Sequence, residues 1–234
     1  MLAIQEVESY YGEFQALRDL TFEVQEGKIV ALLGPNAAGK TTTLRTISGE
    51  VQCRSGSVTY EGRRIEGFKP EKIVDLGISQ VPEGRKLFNS MTVRENLELG
   101  AYTKRARSSM KENLEKTYEI FPILYERTSL LAGHLSGGEQ QMCAIGRGLM
   151  SNPKLLMIDE MSLGLSPVLV KQMFDMVRTI AATGVTILLV EQQVNYALKI
   201  SDFVYIMENG TIALSGTAPE ISGNEHVKKA YLGI

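Results

Sequence analysis

The sequence predicts an α/β fold with a mainly parallel core sheet, an N-terminal antiparallel β region and an inserted helical subdomain. Short apolar runs within residues 28–33, 154–160 and 185–192 have the composition of strands covered on both faces. Helical patterns alternate with these runs, which is typical of a parallel sheet. Residues 2–24 instead alternate polar and apolar side chains, which predicts two or three strands of a different kind.

Composition favours one globular domain. The 234 residues are enough for a sizeable core, and 44% hydrophobic with 22% charged residues is ordinary for a globular protein. A net charge of −2 gives no reason to expect a nucleic-acid partner. No apolar run reaches the roughly 18 to 20 residues of a membrane span, and the N-terminal residues lack the pattern of a signal peptide.

Cysteine and histidine are too sparse to predict a metal centre. Cys53 and Cys143 lie far apart with no C-x-x-C spacing, so we expect two reduced thiols in a cytosolic protein. With only His134 and His226 in the chain, a histidine metal site is not expected.

The elements before residue 92 follow from turns and periodicity. Gly12 separates the first two alternating segments, and residues 28–33 lead through a Gly-rich turn into a helix that ends at Ser48 and Gly49. Residues 55–65 predict a hairpin with Gly62 in its turn. A short helix over residues 70–76 and a short buried strand in residues 77–84 complete this part.

The predicted insertion covers about residues 92–131. Thr92 and Glu95 have the spacing of a capping box at the start of a helix. Apolar and aromatic residues then recur at helical spacing at Leu114, Tyr118, Phe121 and Leu124. We expect two to four helices here, and we expect them to lean on the main body because the segment is too short to fold well alone.

An α/β pattern returns at Leu135. A Gly-rich loop precedes a helix in residues 135–153, a second helix runs within residues 166–184, and residues 203–216 predict a hairpin around Asn209 and Gly210. The sequence therefore divides into a core of residues 1–83 and 135–216, the insertion, and a C-terminal tail of residues 217–234.

A phosphate-binding loop follows the first apolar run. Gly34, Gly39, Lys40 and Thr41 fit G-x-x-x-x-G-K-[ST], in which backbone N–H groups and a helix N-terminus surround phosphate oxygens. The predicted nucleotide contacts are Gly34, Pro35, Asn36, Ala37, Ala38, Gly39, Lys40, Thr41 and Thr42, with Lys40 on the β- and γ-phosphates and Thr41 on Mg²⁺. A Gly-rich turn that merely joins a strand to a helix is the alternative, and the flanking strand and helix argue against it.

Two acids end the LLMIDE run. A carboxylate at a strand tip beside a phosphate loop is a usual second holder of Mg²⁺, so Asp159 is the predicted metal ligand. Glu160 is the candidate general base for the attacking water. Seen alone, the pair could also be surface acids at the end of a strand.

LSGGEQQ, residues 135–141, resembles the signature motif of ABC-transporter ATPases. It stands before a helix and then the LLMIDE strand, as in that family, and the resemblance extends from Met1 to about Gly216. It implies the ABC form of the P-loop NTPase fold and ATP hydrolysis in a head-to-tail dimer. In such a dimer Ser136, Gly137, Gly138 and Glu139 would contact the nucleotide of the other subunit.

The resemblance also implies an aromatic residue that stacks on adenine. Tyr11 stands at that place, before the turn at Gly12, and Tyr10 is next to it. An ordinary strand tyrosine is the alternative.

Several residues depart from the common family pattern. Ala37 replaces a frequent glycine, and Met161 and Ser166 replace a usual proline and aspartate. Glu83 stands at the place of a glutamine that touches Mg²⁺ or water, and a carboxylate could serve the metal. Gln192 stands at the place of a histidine that contacts the γ-phosphate, where an amide can donate but cannot titrate. Lys40, Glu160 and Gln192 are thus the candidate catalytic residues.

Whole segments of the chain resemble the ATPase subunits of bacterial branched-chain amino-acid importers, and urea and short-amide importers use similar subunits. The implied partners are a second ATPase subunit, transmembrane permease subunits, and indirectly a solute-binding protein. For the ATPase pair the resemblance favours a heterodimer over a homodimer. The implied location is the cytoplasmic face of the plasma membrane. A soluble ABC ATPase acting on DNA or ribosomes is the rival from another class, but the long coiled coil or second cassette of such proteins is absent from the sequence.

Overall fold

The computed structural model describes residues 1–229 of the chain. Its strands are β1 (Leu2–Tyr11), β2 (Phe14–Val24), β3 (Ile29–Leu33), β4 (Cys53–Tyr60), β5 (Arg63–Arg64), β6 (Ile78–Val81), β7 (Leu155–Asp159), β8 (Thr186–Glu191), β9 (Phe203–Glu208) and β10 (Thr211–Thr217). Its α-helices are α1 (Lys40–Ile47), α2 (Pro70–Asp75), α3 (Val93–Gly100), α4 (Lys104–Ser108), α5 (Met110–Ile120), α6 (Pro122–Glu126), α7 (Gly137–Leu149), α8 (Pro167–Ala182), α9 (Val194–Leu198), α10 (Ala218–Gly223) and α11 (Glu225–Val227).

A six-stranded sheet forms the centre, in the order β10-β9-β3-β8-β7-β6. The five strands from β9 to β6 pair in parallel, and β10 closes one edge as an antiparallel hairpin with β9. Every residue of β3, β7 and β8 is buried, because the sheet is covered on both faces. The predicted α/β class with a mainly parallel core sheet is therefore confirmed.

The two faces of this sheet carry different covers. Alternate residues of β3 divide between them: Ala31 and Leu33 join a core with helices α3, α7 and α8, whereas Val30 and Leu32 join a second core. The second core lies under α1 and an antiparallel sheet ordered β2-β1-β4-β5. The predicted N-terminal antiparallel region thus packs on one face of the six-stranded sheet.

Four helices, α3 to α6, lie between β6 and α7. The Thr92 side chain accepts a hydrogen bond from the Glu95 N–H at 3.2 Å, and the Glu95 carboxylate accepts one from the Thr92 N–H at 2.7 Å, which completes the capping box. The apolar series from Leu114 to Leu124 falls on two helices rather than one. Pro122 lacks the N–H that would continue α5 and instead begins α6.

Helix α7 packs closely against both the four helices and the central sheet. A Cβ atom on Gly100 of α3 would lie 2.0 Å from the carbonyl oxygen of Arg147, so the two helices touch through their backbones. On the other side, a Cβ atom on Gly148 would lie 2.8 Å from Val81 of β6. A side chain at Gly100 would force the two helix backbones apart, and one at Gly148 would displace the Val81 side chain.

The predicted Gly-rich loop before α7 is not a loop. Ser136 is the N-cap of the helix, and Gly137 and Gly138 already form its first turn. The serine hydroxyl accepts the Glu139 N–H at 3.3 Å, which favours starting the helix at this residue despite the low helix propensity of glycine.

The division into core, insertion and tail stays a prediction. Helices α10 and α11 lie within the predicted tail, of which residues 230–234 are outside the described residues. Cys53 and Cys143 are both free. Within residues 1–229 there is no helix both long and apolar enough to span a membrane.

Candidate functional site

A cavity of about 680 Å³ lies at the carboxyl end of β3, beside the ends of β7 and β8. This is the edge at which open α/β sheets bind ligands, and the volume is in the range of small-molecule sites. Its lining includes most of the predicted nucleotide and catalytic residues: Tyr11, Asn36, Ala37, Gly39, Lys40, Thr41, Thr42, Glu83, Glu160 and Gln192.

The loop between β3 and α1 is tightly constrained. A Cβ atom on Gly34 would lie 2.2 Å from the carbonyl oxygen of Met207, so only glycine fits there. Ala37 has a φ of 62°, in the left-handed region that a Cβ atom disfavours. The methyl group of Ala37 is therefore accommodated at some conformational cost, which a glycine at this position would avoid. Ala38 is buried and anchors the loop, since its carbonyl accepts the Gly210 N–H.

Lys40 is the buried cation of the site, with 4% of its surface exposed. Its Nζ donates to the carbonyl oxygens of Gly34 at 3.0 Å and Pro35 at 2.9 Å, and forms an ion pair with Glu160 at 3.3 Å. A buried ammonium group needs such partners. The same Nζ is therefore held at the opening of the phosphate loop by groups that an anion could replace.

Thr41 lines the cavity, and its hydroxyl donates at 3.3 Å to the carboxylate of Asp159, which is buried and is not itself part of the lining. Burial raises the pKa of Asp159 to about 6, while the Thr41 hydrogen bond acts in the opposite direction. The negative charges of Glu160 and Glu83 raise this pKa further, and Lys40 lowers it. The ionised form of Asp159 is thus not fully stabilised by the positive charge of Lys40 and the Thr41 hydrogen bond.

Glu160 and Gln192 contact each other directly. The Gln192 amide donates to the second carboxylate oxygen of Glu160 at 2.7 Å, while the first oxygen faces Lys40. Glu160 follows β7 with a φ of 44°, and its N–H donates to the carbonyl of Val190 in β8. The left-handed backbone turns its carboxylate out of the strand and into the cavity.

Glu83 lines the same cavity, at the start of a strained loop. Gly84, Arg85 and Lys86 all have positive φ, between 46° and 77°. The Arg85 guanidinium donates to Gln140 of α7 at 3.1 Å, so this loop is joined to the signature helix. Sequence reasoning missed Arg85, because its contact depends on how the loop folds back.

Tyr11 borders the cavity and is 44% exposed, whereas Tyr10 is covered by the Arg54 guanidinium, 4.5 Å from its ring centre. Phe14 also lines the cavity and is 68% exposed. It stands opposite Tyr11 across the β1–β2 turn. Sequence reasoning missed Phe14, although a two-residue turn at Gly12 predicts that pairing.

Ser136, Gly137, Gly138 and Glu139 do not line the Lys40 cavity. They form the N-terminus of α7, where Ser136 is exposed, Gly138 is buried, and the Glu139 carboxylate accepts the Ser136 N–H at 2.7 Å. Hydrogen bonds from Ser136 lower the pKa of Glu139, so this carboxylate serves the helix cap. The signature residues and the phosphate loop of one chain are thus separate sites.

Sequence reasoning also missed Glu191 and Ser162. Both are buried, and the Glu191 carboxylate accepts hydrogen bonds from the N–H and hydroxyl of Ser162. The available signal was a carboxylate that ends an otherwise apolar buried strand.

No group of three or more acidic, histidine or cysteine side chains is placed to hold a metal ion within residues 1–229. Nucleotide-bound Mg²⁺ needs only one or two protein ligands, because phosphates and water supply the rest. Adjacent ligands of an octahedral Mg²⁺ lie about 3 Å apart. The 3.3 Å between the Thr41 and Asp159 oxygens fits that arrangement.

Comparison with known proteins agrees with this geometry. Residues 17–162 match the family model described as ABC transporter. The chain is 46% identical over 233 residues, covering both chains fully, to the high-affinity branched-chain amino acid transport ATP-binding protein BraG of Pseudomonas aeruginosa. It is 36% identical to the probable branched-chain amino acid transport ATP-binding protein LivF of Archaeoglobus fulgidus, covering 100% of this chain and 99% of the relative.

Solved structures show the same fold. A nucleotide-free ATP-binding cassette from an ABC transporter superposes with a TM-score of 0.85 at 30% identity, covering 100% of this chain and 95% of the other. The ADP conformation of another ABC-transporter cassette superposes with a TM-score of 0.85 at 29% identity, covering 100% and 99%.

Proposed function

Because the chain belongs to the ABC transporter family of ATP-binding proteins, we propose that it drives a membrane importer of branched-chain amino acids. As a member of this family it is an ATPase. The observation that carries its site assignment is the convergence of Lys40, Thr41, Asp159, Glu160 and Gln192 at one edge of the sheet. The proposal for the solute rests on the full-length similarity to branched-chain amino acid transport proteins.

ATP occupies the cavity with its phosphates in the loop of residues 34–42 and its base beside Tyr11. Lys40 leaves the carbonyls of Gly34 and Pro35 and contacts the β- and γ-phosphates. Thr41 and Asp159 would hold Mg²⁺, with Glu83 beside them, and the ion would neutralise phosphate charge.

Hydrolysis uses the carboxylate that Lys40 releases. Once Lys40 binds phosphate, Glu160 is free to accept a hydrogen bond from water and orient it for in-line attack. Gln192 reaches the γ-phosphate through its amide while staying close to Glu160. Positioning and charge stabilisation carry the reaction, since the residues present supply no covalent step.

A second ATPase subunit completes each site. Ser136, Gly137, Gly138 and Glu139 lie outside the cavity of their own chain, at a helix N-terminus, which suits an anion and begins at the exposed Ser136. In a head-to-tail dimer this end of α7 would face the γ-phosphate bound by the other subunit. We favour a heterodimer with a related ATPase, and a homodimer is the alternative.

Permease subunits dock beside the four helices. Phe88, Leu99 and Tyr102 are exposed and line a mainly apolar groove of about 540 Å³ between α3, α7 and β6. An exposed apolar groove of this kind supports a protein contact. We therefore propose that the chain acts at the cytoplasmic face of the plasma membrane, with a solute-binding protein acting indirectly through the permease.

The similar relatives favour branched-chain amino acids over urea or short amides, and transport over action on DNA or ribosomes. Affinity purification of the full-length chain from its own cells separates these functions. Recovery with membrane permease subunits and loss of leucine uptake on deletion are the expected results. Recovery with ribosomes or DNA, or uptake defects confined to urea, would overturn the proposal.

Glu160→Gln tests the chemistry in the complex so purified. We expect ATP turnover to fall at least about 100-fold while ATP binding is retained, because the amide cannot act as the base. Nucleotide binding and phosphate release are measured on the same preparation. Turnover at the wild-type rate would show that Glu160 is not the base.

A further inference from the structure

Glu191 is a carboxylate in the interior of the protein. It ends the fully buried strand β8, and only 1% of its surface is exposed. None of the ion pairs among the described residues includes it. A buried carboxylate without a cation is unfavourable unless hydrogen bonds compensate, and a strand of this kind would normally end in an apolar residue.

The compensating hydrogen bonds come from two different loops. One oxygen of Glu191 accepts the Ser162 N–H at 3.0 Å, and the other accepts the Ser162 hydroxyl at 2.7 Å. The second oxygen also accepts the N–H of Gln192 at 3.3 Å. Ser162 is the third residue after β7, and Gln192 is the first residue after β8, so one carboxylate binds both loops close to the ends of their strands.

These two loops carry the catalytic candidates. Glu160 lies two positions before Ser162, and Gln192 follows Glu191 directly. Their side chains meet at 2.7 Å, while the strands beneath them are joined by the hydrogen bond from the Glu160 N–H to the Val190 carbonyl. Glu191 adds a further connection between the same two loops, through Ser162 and the Gln192 N–H.

We propose that Glu191 is a positioning residue for ATP hydrolysis, which fixes the distance between Glu160 and Gln192 by binding both loops at once. Its own side chain does not line the cavity, and it reaches the site through Gln192, which does. Only a side chain with two acceptor oxygens can serve three donors on two loops. The inference rests on the proposed roles of Glu160 and Gln192.

Glu191→Gln is the direct test, because it preserves size and replaces one acceptor oxygen with a donor. In either orientation the amide NH2 faces a backbone N–H, of Ser162 or of Gln192, from which it cannot accept, whereas the Ser162 hydroxyl can turn to accept from it. At least one of the three hydrogen bonds that hold the two loops is therefore lost. We expect kcat to fall about 10- to 100-fold, as for a small misplacement of catalytic groups, with KM and affinity for fluorescent ATP changed less than about twofold. A fall in ATP affinity with unchanged kcat would overturn the proposal.

Thr186→Val provides the matched control. Thr186 is fully buried at the opposite end of the same strand, and its hydroxyl accepts the Gly27 N–H at 2.9 Å. This variant also removes one buried hydrogen bond from β8, but far from Glu160. We expect it to lower the unfolding temperature and to leave kcat unchanged, which separates positioning from general stability.

A double substitution tests whether Glu191 acts through Gln192. If it does, adding Glu191→Gln to Gln192→Ala lowers kcat by much less than adding it to the wild type. If the two substitutions instead lower kcat by independent factors that multiply in the double variant, the proposal is contradicted. Glu160→Gln is measured alongside: wild-type turnover there would remove the role of Glu160 as base, whereas a wild-type kcat in Glu191→Gln would remove the positioning role alone.

Discussion

At the residue scale, the nucleotide-free cavity is a site of uncompensated negative charge. Lys40 is a buried cation of the site and is shared between Glu160 and two carbonyl oxygens, while among residues 1–229 the Asp159 carboxylate accepts a hydrogen bond from the Thr41 hydroxyl and has no ion pair. Burial and the neighbouring carboxylates raise the pKa of Asp159 to about 6. Function here opposes stability, because the arrangement that suits a metal–phosphate complex is unfavourable without it.

Asp159→Asn should therefore stabilise the nucleotide-free protein. The pKa is raised on folding, so the ionised carboxylate disfavours the folded state above pH 6, and a neutral amide removes this penalty. At pH 7.5 we expect a gain of about 1 to 3 kcal/mol in the free energy of unfolding. Below the folded pKa the gain should shrink, since Asp159 is then protonated in the native state.

Urea denaturation of both proteins at pH 7.5 and pH 5 measures this difference. The same variant should lose Mg²⁺-dependent ATP binding, which nucleotide titration with and without the metal detects. Equal stability of the two proteins at pH 7.5 would contradict the expectation that burial penalises the charge of Asp159.

Residues within one contiguous motif were predictable from sequence, since the spacing from Gly34 to Thr41 alone sets their chemistry. Glu191 and Ser162 were not, because they lie 29 positions apart and meet only through the register of β7 and β8. Phe14 joins the cavity for a similar reason, as its place depends on pairing with Tyr11.

At the element scale, α3 and α7 begin with the same capping box. In both helices the N-cap hydroxyl, of Thr92 or Ser136, accepts a hydrogen bond from the backbone N–H of the glutamate three residues later. The carboxylate of that glutamate in turn accepts one from the N-cap N–H at 2.7 Å. The caps are therefore matched in geometry, but only Ser136 is proposed to meet a nucleotide.

Ser136→Ala and Thr92→Ala form a matched pair that exploits this likeness. Each should lower the free energy of unfolding by about 1 kcal/mol through loss of a cap. Only Ser136→Ala should also weaken ATP-dependent association of the ATPase subunits. Thermal unfolding and sedimentation with ATP give the two readouts, and an equal effect of both variants on association would contradict a nucleotide role for Ser136.

Elements that are apolar throughout were predicted well, because short runs such as β3, β7 and β8, with side chains buried on both faces, are typical of central strands of a parallel sheet. Elements whose first or last residue is decided by one side chain were harder to predict. Pro122 divides one expected apolar series into α5 and α6, and the Ser136 cap converts an expected glycine loop into the first turn of α7.

At the scale of the whole molecule, one chain holds two half-sites. The phosphate loop opens into one cavity, and the N-terminus of α7 lies outside it. The residue patterns predicted both motifs, and the family resemblance implied that they serve different nucleotides. The patterns alone could not give this separation, because the relative placement of two distant segments depends on the packing of α7 between the sheet and α3.

ATP should therefore change the assembly state of the protein. Glu160→Gln is expected to associate into a species of about twice the mass when ATP is present, since the nucleotide is bound but not consumed. Lys40→Ala is the control and should remain dissociated because it lacks the phosphate contact. Analytical ultracentrifugation with and without ATP measures this, and association independent of nucleotide in both variants would contradict the shared site.

The close packing around the second half of α7 has a mechanical consequence. Gly148 lies against β6 and Arg147 lies against Gly100, so this end of the helix has almost no clearance. Ser136 is at the other end, about 18 Å away at 1.5 Å per residue. A rotation of α7 about the contact at Arg147 and Gly148 would therefore displace Ser136 more than the residues near that contact. A tilt of about 10° there would move Ser136 by about 3 Å, the length of one hydrogen bond.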